Sequence, residues 1–125
     1  MRIYYAHHLW KYGTEIERYE IGLIQADKPG CIIFNPNGDI GHVGAEPDIM
    51  ERCLASVDEC DALVFSDLSG VVGKGVAQEI YHAQAAGIPV GRIVGHGVRW
   101  YSEPVKHRLL HTGNNRIFAE IVGVP

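Results

Sequence analysis

The sequence has 125 residues, of which 46% are hydrophobic and 21% charged, a balance typical of a globular chain and unlike that of a disordered one. Its net charge of −4 is not offset by any basic block, which argues against duplex nucleic acid as a partner. No apolar run approaches the roughly 20 residues of a membrane span, and the start of the chain is unlike a signal peptide. The 3 cysteines show no Cys-x-x-Cys spacing, which is typical of buried thiols in a reducing compartment. We therefore expect one cytoplasmic domain over residues 1–125, with no membrane contact.

The first half of the chain alternates apolar runs typical of buried strands with segments of helical spacing. The predicted elements are, in order, a strand at 2–6, a helix from 14, a strand at 31–34 and a helix from 47. The first helix opens with Thr14 and Glu17, which form the capping-box pattern. Asn35-Pro36 begins a turn after the second strand, and a glycine-rich loop over 38–44 follows.

Residues 60–90 predict a unit of strand, glycine loop, helix and strand. The apolar residues 62–65 form its first strand, and the helical pattern runs from Val76 to a stop at Gly87. Such a unit is parallel with a right-handed crossover, so the loop after its strand lies at the carboxyl edge of the sheet, where open α/β proteins bind ligands. Glu79 falls in the expected first turn of this helix, and the chain is organised around it.

Beyond residue 90 the pattern weakens. The strand at 89–94 is followed by a segment at 98–111 that we expect to be partly helical, and by a candidate edge strand at 117–122. The whole order predicts a flavodoxin/Rossmann-like, doubly wound α/β sheet, mainly parallel, of about five strands in the order 2-1-3-4-5, with helices on both faces. Its crevice lies between strands one and three, near Tyr4, Tyr5 and Glu79. Because Tyr4 and Tyr5 alternate across the strand, one of them faces the crevice and the other the core.

Four short motifs occur in an order and spacing that resemble the nucleoside 2-deoxyribosyltransferase superfamily. They are Ile3-Tyr4-Tyr5-Ala6, Cys60-Asp61-Ala62-Leu63-Val64, Gly75-Val76-Ala77-Gln78-Glu79-Ile80 and Gly87-Ile88-Pro89-Val90. The first is similar to the family's Ile-Tyr-x-Ala start, and the third to its Gly-x-x-x-Glu helix. The Asn35-Pro36 turn resembles a small, mostly uncharacterised branch. The resemblance covers residues 1–94.

This resemblance implies an enzyme that cleaves the N-glycosidic bond of a nucleoside or nucleotide without a cofactor. Glu79 would be the nucleophile that attacks C1′, with Tyr4 as its catalytic neighbour, and Gly75 would let the backbone approach the sugar or phosphate. Covalent capture by a carboxylate divides a difficult step into two easier ones. Family members commonly complete their sites with a neighbouring subunit, so a homo-oligomer is also implied.

Two positions depart from the family pattern. The aspartate expected eight residues before Asp61 is Cys53, and the serine or aspartate expected six residues before Glu79 is Gly73. Both expected groups are polar, and the aspartate handles the proton of the departing base. Asp58, Asp67 and His7 are candidates to replace that function.

Further substrate-binding candidates lie on loops at the predicted carboxyl edge. They are His7, Asn35, Asp67, Gly73, Lys74 and Gly75. Simpler explanations compete with each: the glycines suit a tight turn, Asn35 suits turn chemistry, and a helix start favours an acid such as Glu79. A P-loop is excluded by spacing. We predict no metal site, because His107 and His111 have the spacing of two ligands but no evident third.

The residues do not distinguish hydrolysis from base transfer. An alternative function is a nucleotide-binding or sensing module without turnover, which the replacements at Cys53 and Gly73 favour. A third is a flavodoxin-like domain that binds a protein partner and no small ligand. Base release separates the first from the other two, and nucleotide binding separates the second from the third.

Overall fold

The computed structural model describes residues 1–39, 46–111, 117–123 and 125. The strands are β1 Arg2–Ala6, β2 Ile32–Phe34, β3 Ala62–Phe65, β4 Val71–Gly73, β5 Val90–Val94, β6 Gly97–Trp100, β7 Lys106–His111 and β8 Ile117–Val122. The helices are α1 Glu15–Asp27, α2 Pro36–Asp39, α3 Glu46–Asp58 and α4 Lys74–Ala85, with a 3₁₀ turn at Leu9–Lys11.

The main sheet confirms the predicted α/β class. Its five strands have the order β2-β1-β3-β5-β6, in which β2, β1, β3 and β5 run parallel. The fifth strand is β6, which folds back antiparallel on β5 through a hairpin, so the sheet is mainly parallel as predicted. The carboxyl ends of β1 and β3 are neighbours, so the segments that follow Ala6 and Phe65 leave the sheet side by side.

The chain after residue 95 was predicted incorrectly in part. The segment at 98–111, expected to be partly helical, instead contributes to β6 and β7. The segment at 117–122 is a strand, as expected, but β8 is the centre of a separate sheet of order β4-β8-β7. This sheet also takes β4 from the expected glycine loop. Pairing between residues as distant as Val71 and Glu120 leaves no local pattern in the sequence, which explains the error.

Of the two helices α4 and α1, the first differs from the prediction and the second confirms it. Helix α4 begins at Lys74, two residues before the expected start, so Glu79 lies in its second turn and not in its first. Thr14 caps α1 as predicted, accepting a hydrogen bond from the Glu17 N–H at 3.2 Å. Most of the loop predicted at 38–44 lies outside the described residues.

Alternation along β1 sends consecutive side chains into two different cores. Ile3 and Tyr5 pack in a cluster with Ile24 of α1, whereas Tyr4 and Ala6 pack in a cluster that includes residues of α3 and α4. Buried residues of the second sheet join the α3/α4 side. The central strands are thus covered on both faces, as the near-continuous apolar runs predict.

Gly91 on β5 gives a test of this packing. A Cβ atom there would lie 3.0 Å from Cε3 of Trp100 and 3.1 Å from Cγ1 of Val98, so Gly91→Ala must push back these two side chains of the neighbouring strand β6. We expect a loss of about 1–3 kcal/mol in the free energy of unfolding, measured with urea. Gly97→Ala is the matched control, since a Cβ atom there meets nothing within 4 Å. Equal effects of the two substitutions would contradict the packing described.

Candidate functional site

Tyr4 and Glu79 meet in the interior, on the side of the main sheet covered by α3 and α4. Tyr4 points from the middle of β1, and its hydroxyl donates a hydrogen bond to Oε2 of Glu79 on α4. Tyr4 is 0% exposed and Glu79 only 5% exposed. The crossover from β3 through α4 to β5 carries the helix across β1, which is why residues 75 positions apart meet. The structure therefore brings together the two residues predicted to be catalytic.

Burial dominates the electrostatics of this pair. Removal from water raises the pKa of Glu79 to about 7, although the hydrogen bond from Tyr4 acts in the opposite direction. Burial, reinforced by the charge of Glu79, also raises the pKa of the Tyr4 hydroxyl far above its usual value. Tyr4 therefore remains a donor, and Glu79 changes between acid and carboxylate near neutral pH. Groups with such values are frequent in active sites.

Cys53 is the third member of this cluster. It lies on α3, is 7% exposed, and its side chain shares a hydrogen bond with the Tyr4 hydroxyl. Burial and the nearby Glu79 charge raise the pKa of the thiol, so it stays protonated at neutral pH. The position where the family resemblance expects an aspartate thus contacts the site directly, with a neutral group in place of a second carboxylate.

Gly73 and Gly75 are required by close approach of other side chains. A Cβ atom at Gly73 would lie 2.8 Å from Cδ2 of His8, and one at Gly75 would lie 3.1 Å from Cε of Met50. Neither glycine has a positive φ, so turn geometry does not account for them. Gly75 is one helical turn before Glu79, on the same face of α4. His8 and Met50 therefore cover the two glycines at the start of the helix that carries Glu79.

His7, predicted to bind substrate, lies on the opposite side of the sheet. Its Nε2 is 2.7 Å from Oε2 of Glu17, its Nδ1 is 3.0 Å from the Tyr5 carbonyl oxygen, and its ring stacks on Tyr5 at 3.8 Å. Burial alone raises the pKa of Glu17, but hydrogen bonds from His7, the Gly13 N–H and Asn37 outweigh it and leave that pKa below its usual value. His7 is 3% exposed and forms a buried hydrogen-bonded pair with Glu17.

A second buried group fixes the loops around the crevice. Lys11 Nζ lies 3.2 Å from Oε2 of Glu20 and 2.9 Å from the Asp67 carbonyl oxygen, and it also donates to Ser66 Oγ. Glu20 further accepts hydrogen bonds from Ser66 at 2.7 Å and from the Tyr5 hydroxyl at 2.6 Å. This network ties the loop after β1 and the loop after β3 to α1. Sequence reasoning missed it, although Glu17 and Glu20 share a face of α1.

Tyr12 lies between the cluster around Glu79 and the His7–Glu17 pair. Its ring centre is 4.8 Å from that of His7, on the α1 side. Burial raises the pKa of the Tyr12 hydroxyl, and the charge of Glu79, from the other side, raises it further. The half-buried Tyr12 side chain therefore lies close to both clusters, at the carboxyl end of β1, where the crevice was predicted.

Asp67, a predicted substrate contact, is engaged with the protein itself. Its Oδ1 is 3.2 Å from Nε of Arg92, and its Oδ2 accepts from the Gly70 N–H at 2.6 Å. Burial raises the pKa of Asp67, but these partners reverse the effect and hold it below its usual value. Arg92 also donates to the Gly123 carbonyl oxygen at 3.2 Å, which anchors the end of the second sheet.

The remaining predicted residues have simpler positions. Asn35 accepts a hydrogen bond from the Asn37 N–H at 3.0 Å, the turn chemistry that the sequence suggested. Lys74 is exposed at the first position of α4. His107 and His111 lie on strand β7, so the helical spacing proposed for a metal pair does not occur. No group of three or more potential metal ligands occurs within the part of the chain that the structure describes.

No protein-family model matches the sequence, and no curated protein matches it either. Solved structures do match. A conserved protein from Enterococcus faecalis V583 superimposes with a TM-score of 0.61 at 24% identity, over 74% of this chain and 62% of that one. This chain therefore spans less than two thirds of the length of that protein. In the described residues, no helix is long and apolar enough to cross a membrane.

A 2-deoxyribosyltransferase from Leishmania mexicana superimposes with a TM-score of 0.56 at 15% identity, over 82% of this chain and 79% of that one. At such identities the likeness concerns the fold alone. The chain therefore has a nucleoside 2-deoxyribosyltransferase-like fold, as the sequence motifs indicated.

The Lys11 network gives a prediction about stability. Lys11→Met leaves the buried Glu20 carboxylate without its cationic partner, and we expect a loss of about 3–5 kcal/mol in the free energy of unfolding. Arg108→Met is the control, because Arg108 and Glu120 form an ion pair at 3.8 Å with side chains 69% and 43% exposed. That substitution should cost less than about 1 kcal/mol. A similar small cost at Lys11, measured by chemical unfolding, would show that the network is not structural.

Proposed function

We propose that the protein breaks the N-glycosidic bond of a nucleoside or nucleotide, with Glu79 as nucleophile. The observation that carries this proposal is the buried Glu79 carboxyl, whose pKa is raised to about 7 and which accepts a hydrogen bond from Tyr4. It lies on α4, which begins at the carboxyl edge of a parallel sheet, the side where open α/β folds bind ligands. The fold of the Leishmania mexicana 2-deoxyribosyltransferase adds support.

The chemistry divides into two displacements at C1′ of the sugar. In the first, an ionised Glu79 oxygen forms a bond to C1′, the C1′–N bond breaks, and its electron pair leaves with the base, which takes a proton from solvent. In the second, water or another base attacks C1′, the bond from C1′ to Glu79 breaks and releases the carboxylate, and the attacking group gives its extra proton to solvent. Water gives hydrolysis, and a second base gives transfer. No cofactor enters either step.

The Tyr4 hydroxyl and the exclusion of water from Glu79 each have a role in this mechanism. The Tyr4 hydroxyl holds one oxygen of Glu79 and leaves the other to react. A poorly solvated carboxylate attacks more readily than a hydrated one, and its negative charge is better matched to the positive charge that develops at C1′. Cys53 adds no competing charge, since burial keeps its thiol protonated.

A second candidate function is nucleotide binding without turnover in the same single domain. The contacts of His8 with Gly73 and of Met50 with Gly75 favour it, because they cover the approach to a carboxyl that is only 5% exposed. In this case nucleotides would raise the melting temperature of the protein, and Glu79→Gln would leave that shift unchanged. A ligand at 100 times its Kd stabilises by about 2.7 kcal/mol, which thermal unfolding readily detects.

Base release tests the catalytic proposal. The wild type and Glu79→Gln are incubated with deoxynucleosides, their 5′-monophosphates and the ribo counterparts, and free base is quantified by chromatography. We expect release by the wild type and a loss of about 10⁴-fold or more in the variant, because loss of a nucleophile removes the covalent route. No release from any of these substrates, even with a second free base as acceptor, would contradict the proposal.

The dependence of rate on pH gives an independent check. Since Glu79 must be ionised to attack, kcat/KM should rise with pH through about 7. Tyr4→Phe removes a hydrogen bond that favours the ionised form, so this rise should move to higher pH and the maximum rate should fall. Tyr19→Phe, which alters an exposed tyrosine paired with His96, is the control and should leave the profile unchanged. A profile unaffected by Tyr4→Phe would exclude Glu79 as its origin.

A further inference from the structure

The Glu79 carboxyl is covered, although its helix starts at the edge of the sheet where open α/β folds bind ligands. Glu79 is 5% exposed, and its hydrogen-bond donor Tyr4 is 0% exposed. From the side of β2, the ring of Phe34 stacks on that of Tyr4 at 5.5 Å. A molecule that reacts with Glu79 must therefore enter between the elements that cover it, and a covering side chain has to move.

Met50 lies between Glu79 and the carboxyl edge of the sheet. Helix α4 runs away from that edge, so Gly75, one turn before Glu79 on the same face, is nearer to the edge. A Cβ atom at Gly75 would lie 3.1 Å from Cε of Met50, which places the end of this side chain about one helical turn from the carboxyl. The glycine at position 75 thus leaves a notch that Met50 fills.

Helix α3 leads to the same placement from the other side. Met50 comes three residues before Cys53, so the two side chains share a face of α3. The Cys53 side chain shares a hydrogen bond with the Tyr4 hydroxyl, so this face of α3 borders the Glu79 cluster. Because α3 precedes the parallel strand β3, it also runs away from the carboxyl edge, and Met50 is nearer to that edge than Cys53. Both helices therefore put Met50 on the edge side of the cluster.

The Met50 side chain is suited to movement. It is only partly buried and packs against the core cluster that contains Tyr4 and Cys53, so it extends from this cluster to solvent. A methionine side chain is unbranched, has three rotatable bonds and carries no N–H or O–H group, so it adapts easily to a new position. His8, which covers Gly73, is instead held in ring contacts with Trp10 at 4.6 Å and Phe118 at 6.1 Å.

We propose that Met50 is a gate for the Glu79 site, whose side chain leaves the notch at Gly75 when a substrate binds and gives its place to the substrate. This inference rests on the proposed function for the kind of substrate, whereas the gate itself concerns access to Glu79. The closed gate keeps water from the carboxyl, and the open gate exposes it. Binding selects the open state, so the apparent affinity falls below the intrinsic affinity by the fraction of molecules that are open.

Chemical labelling of Glu79 tests the gate without any substrate. The probe is a water-soluble carbodiimide with glycine ethyl ester, which converts an accessible carboxyl group to an amide, and mass spectrometry of peptides gives the rate at Glu79. Minor states are typically populated at about 0.1–10%, so Met50→Ala, which has no gate, should be labelled at least about 10-fold faster than the wild type. Met50→Leu, which has a similar volume, should be labelled at nearly the wild-type rate.

Ile88→Ala is the matched control. Ile88 is also a partly buried apolar residue packed against the same core cluster, but it lies beyond the last turn of α4, at the opposite edge of the sheet. Both alanine variants should lower the melting temperature, and only Met50→Ala should speed the labelling of Glu79.

A kinetic readout uses whichever of 2′-deoxyadenosine, thymidine and their 5′-monophosphates the wild type cleaves fastest. Met50→Ala should lower KM more than it changes kcat, because binding no longer has to select a minor open state. Ile88→Ala should leave KM unchanged.

The outcomes separate the two proposals. Labelling of Met50→Ala at the wild-type rate, or equal acceleration in Ile88→Ala, would show that Met50 only packs the core and would overturn this inference while base cleavage stands. A wild type that releases no base would overturn the proposed function, and the labelling rates would still decide whether Met50 controls access to Glu79.

Discussion

The site depends on one constraint, which is that a carboxyl group is kept out of water between a helix and the middle of a sheet. Burial of Glu79 opposes its ionisation, and the donated hydrogen bond from Tyr4 offsets only part of that effect. The neighbouring residues are consistent with this constraint. Cys53 is neutral near pH 7, and Gly75 leaves room beside the helix for the apolar Met50 side chain. The same constraint gives the carboxyl a pKa close to the pH at which a nucleophile is needed.

A buried glutamate accepts a hydrogen bond from a tyrosine on each face of β1, but the two glutamates have different further partners. Tyr4 and Tyr5 each donate to a buried glutamate, Glu79 on one side of the sheet and Glu20 on the other. Glu20 also has a cationic partner in Lys11, so that side is a closed structural network. This network also fixes the segment from β1 to α1, where His8 packs against Gly73 at the start of the helix that carries Glu79. The support on one face of the sheet therefore helps to position the start of α4 on the other.

The sequence predicted what depends on local pattern and parallel topology. The apolar runs and the glycine loop were sufficient for the β1–β3–β5 order, and the motif around Glu79 was sufficient to pair it with Tyr4. The second sheet was not predictable, because β4 and β8 are far apart in the chain and their pairing leaves no local pattern in the sequence. The position of His7 was also beyond the sequence, since it depends on which side of the sheet the ring occupies. Asp67 was suggested by its position after β3, but its partner Arg92 comes from a different strand.

The pKa of the Glu79 carboxyl in the folded protein is the most direct test of the constraint on this site. Titration of ¹³C-labelled glutamate carboxyls by NMR, with Glu79→Gln to assign the signal, gives the value in the folded protein without any substrate. We expect a pKa of about 7, and a higher one in Tyr4→Phe. A pKa near the ordinary value of 4.5 would mean that Glu79 is well solvated and would contradict the burial of this carboxyl.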